Sequence, residues 1–170
     1  GRPEDAPGTC VTCVMEGVRP VLAEIQALVV PSSFGNPRRV SNGVEYNRAM
    51  LLLAVLEKRG GLLLGDCDAY LNVIGGLSLD EPAADLAAML ALASSFRDKP
   101  VPSDLAAIGE VGLTGELRAV SNLGQRLSEV RRLGFTKCLI PKRIQGKLAA
   151  PEGLELIRVA NIREALAALL

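Results

Sequence analysis

Residues 77–90 read LSLDEPAADLAAML: a short alternating run, a turn built on Asp80-Glu81-Pro82, then the first turns of a helix rich in Ala and Leu. Proline suits the first turn of a helix, where its missing N–H is not needed, so Pro82 marks the start. Such strand-to-helix junctions are where many enzymes mount a nucleophile, because the first amides of the helix face the reacting group. Here the mounting holds Ala83 and Ala84, with a carboxylate before and after. Neither alanine can attack a substrate.

Working outward, the helix opened by Pro82 runs to about Arg97, with Leu86, Met89, Leu90, Ala93 and Phe96 forming one apolar face. Upstream, AYLNVI at 69–74 alternates as a strand and is broken by Gly75-Gly76. EYNRAMLLLAVLEKR at 45–59 is helical and apolar nearly all round in its middle, which predicts a buried helix closed by Gly60-Gly61. The runs 9–16 and 19–30 are β-rich, and Glu16-Gly17 between them predicts a hairpin. Residues 31–44 are turn-rich, with room for a short strand at 38–40. Downstream, a strand at 105–109 leads into a tight hairpin over GEVGLTGELRAV. A helix at about 123–133, strands at 137–141 and 154–159, and a helix at 162–170 follow. This order predicts a mixed α/β (α+β) domain, β-rich at its start.

Hydrophobic residues make up 49% of the 170-residue chain, but aromatics only 3%, so the core has to be aliphatic. Nineteen basic and nineteen acidic residues cancel, and any attraction to polyanions must come from local patches. No apolar run approaches the roughly 18 residues of a membrane span. The start, GRPEDAPG, lacks the apolar core of a secretory signal. These features predict a cytoplasmic protein with no membrane partner. The Pro-rich opening reads as an excised piece, with residues 1–8 the tail of a linker and 9–170 the domain.

The chemistry present is sparse. There is no His, which excludes Ser-His-Asp and Cys-His devices. Cys10, Cys13, Cys67 and Cys138 read as reduced structural thiols. Cys10 and Cys13 sit three apart in a strand and so point to opposite faces. Asp66 and Asp68, even with Asp80 or Glu81, read as solvated carboxylates and not as a metal site. Ser94 and Ser95 near Lys99 lie at the end of a helix taken to be exposed, where no desolvated lysine is available. Gly109, Gly112 and Gly115 fit no phosphate-loop spacing and read as turn glycines.

The order Pro82-Ala83-Ala84, then IGEVGLTGEL at 108–117, VSNLGQRL at 120–127 and GFTKCLIP at 134–141 resembles the proteolytic domain of Lon proteases. That family uses a Ser-Lys dyad. The resemblance places the Ser at Ala83 and the Lys at Gly124, so both reactive groups are gone. MEGVRP at 15–20, FGNPRR at 34–39, YNR at 46–48, LAVLEKR at 53–59 and SSFRD at 94–98 extend the likeness to the Lon-like C-terminal domain of the RadA/Sms type of bacterial DNA repair protein.

What this resemblance implies is a non-catalytic domain that scaffolds a homo-oligomeric ring, a hexamer, and helps contact single-stranded or branched DNA during branch migration. A RecA-type recombinase is an implied partner. ATP, Mg and Zn would belong to other parts of the parent protein, an ATPase, and no cofactor to this chain. The basic groups expected toward DNA are Arg38, Arg39, Arg48, Lys58, Arg59, Lys142 and Arg143, with Lys147 nearby. Two alternatives stand beside this reading. One is an oligomerisation module without DNA contact, and the other is a Ser-Lys peptidase whose nucleophile has moved to Ser78 or Ser121.

Overall fold

The computed structural model describes residues 6–33 and 35–170, so residues 1–5 of the expected linker tail lie outside the described residues, as does Phe34 of the FGNPRR stretch. β1 (Thr9–Glu16) and β2 (Arg19–Pro31) form the hairpin, in register from Thr9 opposite Gln26 to Glu16 opposite Arg19. β3 (Arg39–Asn42) runs parallel to β4 (Cys67–Val73), which pairs antiparallel with the far half of β2. β5 (Leu105–Ala107) lies parallel to β1, and a small separate hairpin of β6 (Glu110–Val111) and β7 (Leu117–Arg118) follows. β8 (Lys137–Pro141) and β9 (Glu155–Val159) complete a parallel edge. Among the described residues the main sheet therefore has seven strands, in the order β3-β4-β2-β1-β5-β8-β9. Its carboxyl edge at β5 and β8 is the one from which the 108–122 segment leaves.

Among the described residues, four α-helices cover this sheet: α1 (Tyr46–Lys58), α2 (Asp85–Arg97), α3 (Leu123–Arg132) and α4 (Ile162–Leu169). Alternation along β1 divides the core in two. Cys10 and Val14 join α1, α2 and α4 on one face, while Val11 and Cys13 join α3 on the other. Cys10 and Cys13 thus point to opposite faces, as their spacing predicts, and all four cysteines are free thiols. Burial pushes the Cys13 thiol up to about 12 and the Cys138 thiol up as well, so neither is a nucleophile at neutral pH. No helix among the described residues is long and apolar enough to cross a membrane.

The structure exchanges the parts expected of α1 and α2. Leu51 of α1 is 41% exposed and Ala54 is exposed, so α1 is a covering helix and not a wholly buried one. α2 is buried on every side from Asp85 to Ser94 instead of on one face. Its alanines at 87, 88, 91 and 93 explain this, since small side chains let the sheet and the flanking helices approach all round it.

Burial of α2 also corrects the view of Ser94 as lying on an exposed helix. Ser94 is fully buried; its hydroxyl accepts the Gly8 N–H at 2.9 Å and donates to the Lys99 carbonyl. The Ser95 hydroxyl accepts the Val29 N–H at 2.9 Å, and the Lys99 ammonium reaches the Leu170 carbonyl at 3.2 Å. Both serines pin the first two strands to the end of α2, and neither meets a lysine amine.

The 77–84 segment is held from several sides. Gly43 has φ +94°, and a Cβ there would lie 2.6 Å from both the Leu77 oxygen and the Val73 side chain. That closeness lets the Leu79 N–H reach the Gly43 carbonyl at 2.6 Å and lets Val44 bridge to Leu79. Pro82 opens a 3₁₀ turn over Pro82–Ala84, and the α-helix proper begins only at Asp85.

Candidate functional site: an empty mounting and two clamps

Ala83 is 5% exposed and packs in the α3-side core with Ile108, Leu123 and Leu127. Its backbone is tied to the segment after β5. The Gly109 N–H reaches the Ala83 carbonyl at 2.9 Å and the Leu86 N–H reaches the Gly109 carbonyl at 3.1 Å. Gly124, one residue into α3, faces open space: a Cβ added there would meet nothing within 4 Å. It lines a concavity of about 490 Å³ together with Asn122, Ser128 and Lys147. A Cβ is thus tolerated at 124, and crowding at that atom does not explain the glycine.

Ionic clamps flank the mounting, and neither of their central contacts is announced by spacing. The first centres on Arg126, which is 1% exposed. Its guanidinium pairs with Glu81 and donates to the carbonyls of Cys13 at 2.9 Å and Ser121 at 2.8 Å. The same Glu81 carboxylate accepts the Met15 N–H at 3.1 Å. One buried cation therefore ties α3, β1 and the residue before Pro82 together, and each of its three nitrogens donates. Glu81 is legible as a carboxylate beside the turn, but Arg126 stands among several arginines of an amphipathic helix.

The second clamp joins Arg48 of α1 to Asp85, the first residue of α2. Arg48 Nε donates to Asp85 Oδ1 at 3.0 Å, its Nη2 pairs with Oδ2, and the Val111 N–H donates to Oδ2 at 3.0 Å. Burial pushes the Asp85 carboxyl upward, against the opposing pull of Arg48 and the Val111 amide. Hydrogen bonding to Asp85 raises the Arg48 guanidinium in turn. Arg48 thus has a structural partner inside the domain.

The other expected basic residues scatter. Arg39 turns inward, its Nη2 donating to the Leu64 carbonyl at 2.8 Å and its Nη1 buried. Arg38 is exposed and anchored through its backbone N–H to Asp68 at 2.7 Å. Lys58 and Arg59, at the end of α1, share a concavity of about 260 Å³ with Arg163 of α4, a residue that no sequence motif singles out. Lys142 and Arg143 leave the carboxyl end of β8 and line a wider concavity of about 600 Å³ with Arg118. Lys147 is exposed in the loop beyond them.

Ser78 and Ser121 are both exposed, and neither hydrogen-bonds to a lysine among the described residues. No group of three or more Cys, Asp or Glu side chains converges to hold a metal ion among the described residues.

The sequence has counterparts among known proteins. The chain is 55% identical over 159 residues to the DNA repair protein RadA of Bacillus subtilis (strain 168), covering 94% of this chain and 35% of that protein. It is 49% identical over 165 residues to the DNA repair protein RadA of Streptococcus pneumoniae (strain ATCC BAA-255 / R6), covering 97% of this chain and 39% of that protein. To that of Listeria monocytogenes serovar 1/2a it is 51% identical over 165 residues, with 97% and 36% covered. The chain spans little more than a third of the length of these curated relatives. Residues 69–170, which carry the Pro82 turn, α3 and the parallel edge, match the model of the Lon protease (S16) C-terminal proteolytic domain. That match takes in well over half of the chain, which accordingly belongs to the Lon protease (S16) C-terminal proteolytic domain family.

Proposed function

We propose that this chain is the non-catalytic Lon-like domain of a RadA-type, cytoplasmic DNA repair ATPase, and that it serves as a ring scaffold with a DNA-contacting edge. The likeness to proteins named DNA repair protein RadA supports the repair role. Loss of peptidase chemistry follows from Ala83 and Gly124, which offer a methyl group and a hydrogen where the family uses a hydroxyl and an amine.

The observation that carries the DNA reading is the position of Lys142 and Arg143. Both side chains are exposed and without a partner among the described residues, directly after β8 at the carboxyl edge of the parallel strands. Open α/β sheets bind ligands at that edge. The empty mounting lies on the same edge, since Gly109, which holds Ala83, approaches Pro141 of β8. Repeated around a hexameric ring, these two cations would meet a phosphate backbone several times over, although the domain carries no net charge.

The test is a titration of fluorescent single-stranded and branched DNA at several salt concentrations. Lys142→Ala with Arg143→Ala is expected to weaken binding at least about tenfold and to flatten the dependence on salt by about two phosphate contacts. Binding that ignores salt and both substitutions overturns the DNA contact. The inward use of Arg39 and Arg48 favours a second reading, in which the domain only joins subunits. Flat DNA titrations together with a stable ring by light scattering would establish that one.

A further inference from the structure

α1 carries opposite charge at its two ends. At its start lies an apolar trench of about 270 Å³ walled by Val44, Leu52, Leu79 and Pro82. Four carboxylates and one arginine, Arg48, line it. Arg48 offsets Asp85, and Arg126 from behind offsets Glu81. Glu45 and Asp80 remain. Asp80 is exposed and without a partner among the described residues, and the Glu45 carboxylate accepts the first amides of α1.

At the other end of α1 stand Lys58 and Arg59, joined in one concavity by Arg163, which donates to the Arg59 carbonyl at 3.2 Å. The loop that leaves this end folds back on the helix, with the Gly61 and Leu64 amides both bonded to Glu57. Between them Leu63 is 82% exposed, flanked by Leu62 and Leu64, which are each 1% exposed. One end of the helix thus carries Lys58, Arg59 and Arg163 against the single carboxylate of Glu57, with a bare leucine in the loop just beyond. The other is an apolar trench with an anionic rim. A 13-residue helix separates them by about 20 Å.

We propose that the knob of one copy, Leu63 with Lys58 and Arg59, docks into the Val44–Leu79 trench of the next copy, beside Glu45 and Asp80. The occupant follows from complementarity: a leucine among cations matches apolar walls among carboxylates, and the chain itself presents both. Because knob and trench are different surfaces, the contact is heterologous, and repetition closes a ring or extends a filament. In a chain of zero net charge, segregated poles of this kind orient copies head to tail. This inference rests on the ring reading above and assigns its interface; it gives the Lys58–Arg59 cluster to protein contact and leaves Lys142 and Arg143 to DNA.

Sedimentation and light scattering of the chain in low and high salt test it. The unaltered chain is expected to assemble, less so as salt rises. Arg59→Glu, Asp80→Lys and Leu63→Asp should each shift the monomer–assembly midpoint about tenfold or more to higher concentration. These positions are exposed, and circular dichroism should show the fold unchanged. The double variant Asp80→Lys with Arg59→Glu restores opposite charges across every contact and should recover assembly. Assembly indifferent to all three single changes, or a double variant no better than the singles, overturns the inference and leaves the ring reading standing. A chain that stays monomeric at every salt concentration, whether or not its trench takes a basic, leucine-bearing peptide, overturns both.

Discussion

Arg126→Met is expected to lower the free energy of unfolding by about 3–5 kcal/mol, the range found when one partner of a buried ion pair is removed. The side chain is 2% exposed, so water does not replace what the guanidinium gave. Glu81 would be left charged beside the α3-side core, and the Cys13 carbonyl would lose its side-chain donor. Adding Glu81→Gln should return part of the loss, because much of the cost is the stranded carboxylate and not the missing attraction. Urea denaturation at neutral pH measures both variants. A single-variant loss below about 1 kcal/mol, the scale of surface pairs, would show that the clamp is solvated and does not organise the mounting.

The second large effect lies in α2. Leu90→Ala should cost about 2–5 kcal/mol, since Leu90 is fully buried in a helix that is packed on all sides and has little freedom to collapse into the space left behind. Leu51→Ala on the outer side of α1 should cost within about 1 kcal/mol, because that side chain is already 41% exposed. Equal losses at the two positions would contradict the arrangement in which α2 is the central helix and α1 its cover.

That contrast also shows where the sequence is hard to read. α1 and α2 both have apolar, helix-forming residues and clear closing signals, so their existence and bounds are legible. Which of them occupies the centre depends on what packs around each, and periodicity does not carry that information. The run MLLLAVL at 50–56 looks buried all round, yet Leu51 and Ala54 within it face outward. The alanines of α2, which weaken its hydrophobic pattern, are the feature that admits it between the sheet and two other helices.

The candidate site divides in the same way. Ala83 and Gly124 are proposed as the emptied dyad positions from the order of motifs along the chain alone. Arg126, Asp85 and Arg163 are not legible in that way, because their significance lies in partners far away in sequence: Cys13 for Arg126, Arg48 for Asp85, Arg59 for Arg163. Arg38, Arg39 and Arg48 illustrate the converse. They stand close together in the sequence and diverge in space, one outward, one to the Leu64 carbonyl and one to Asp85.

A fluorogenic peptide and casein assay, run on the unaltered chain beside its Ser78→Ala and Ser121→Ala variants, is the most direct check on the claim that the protease frame has lost its chemistry. No turnover above buffer is expected for any of the three. Turnover by the unaltered chain that disappears with either substitution would contradict the claim, because it would mean that a serine outside the empty mounting has taken over the attack.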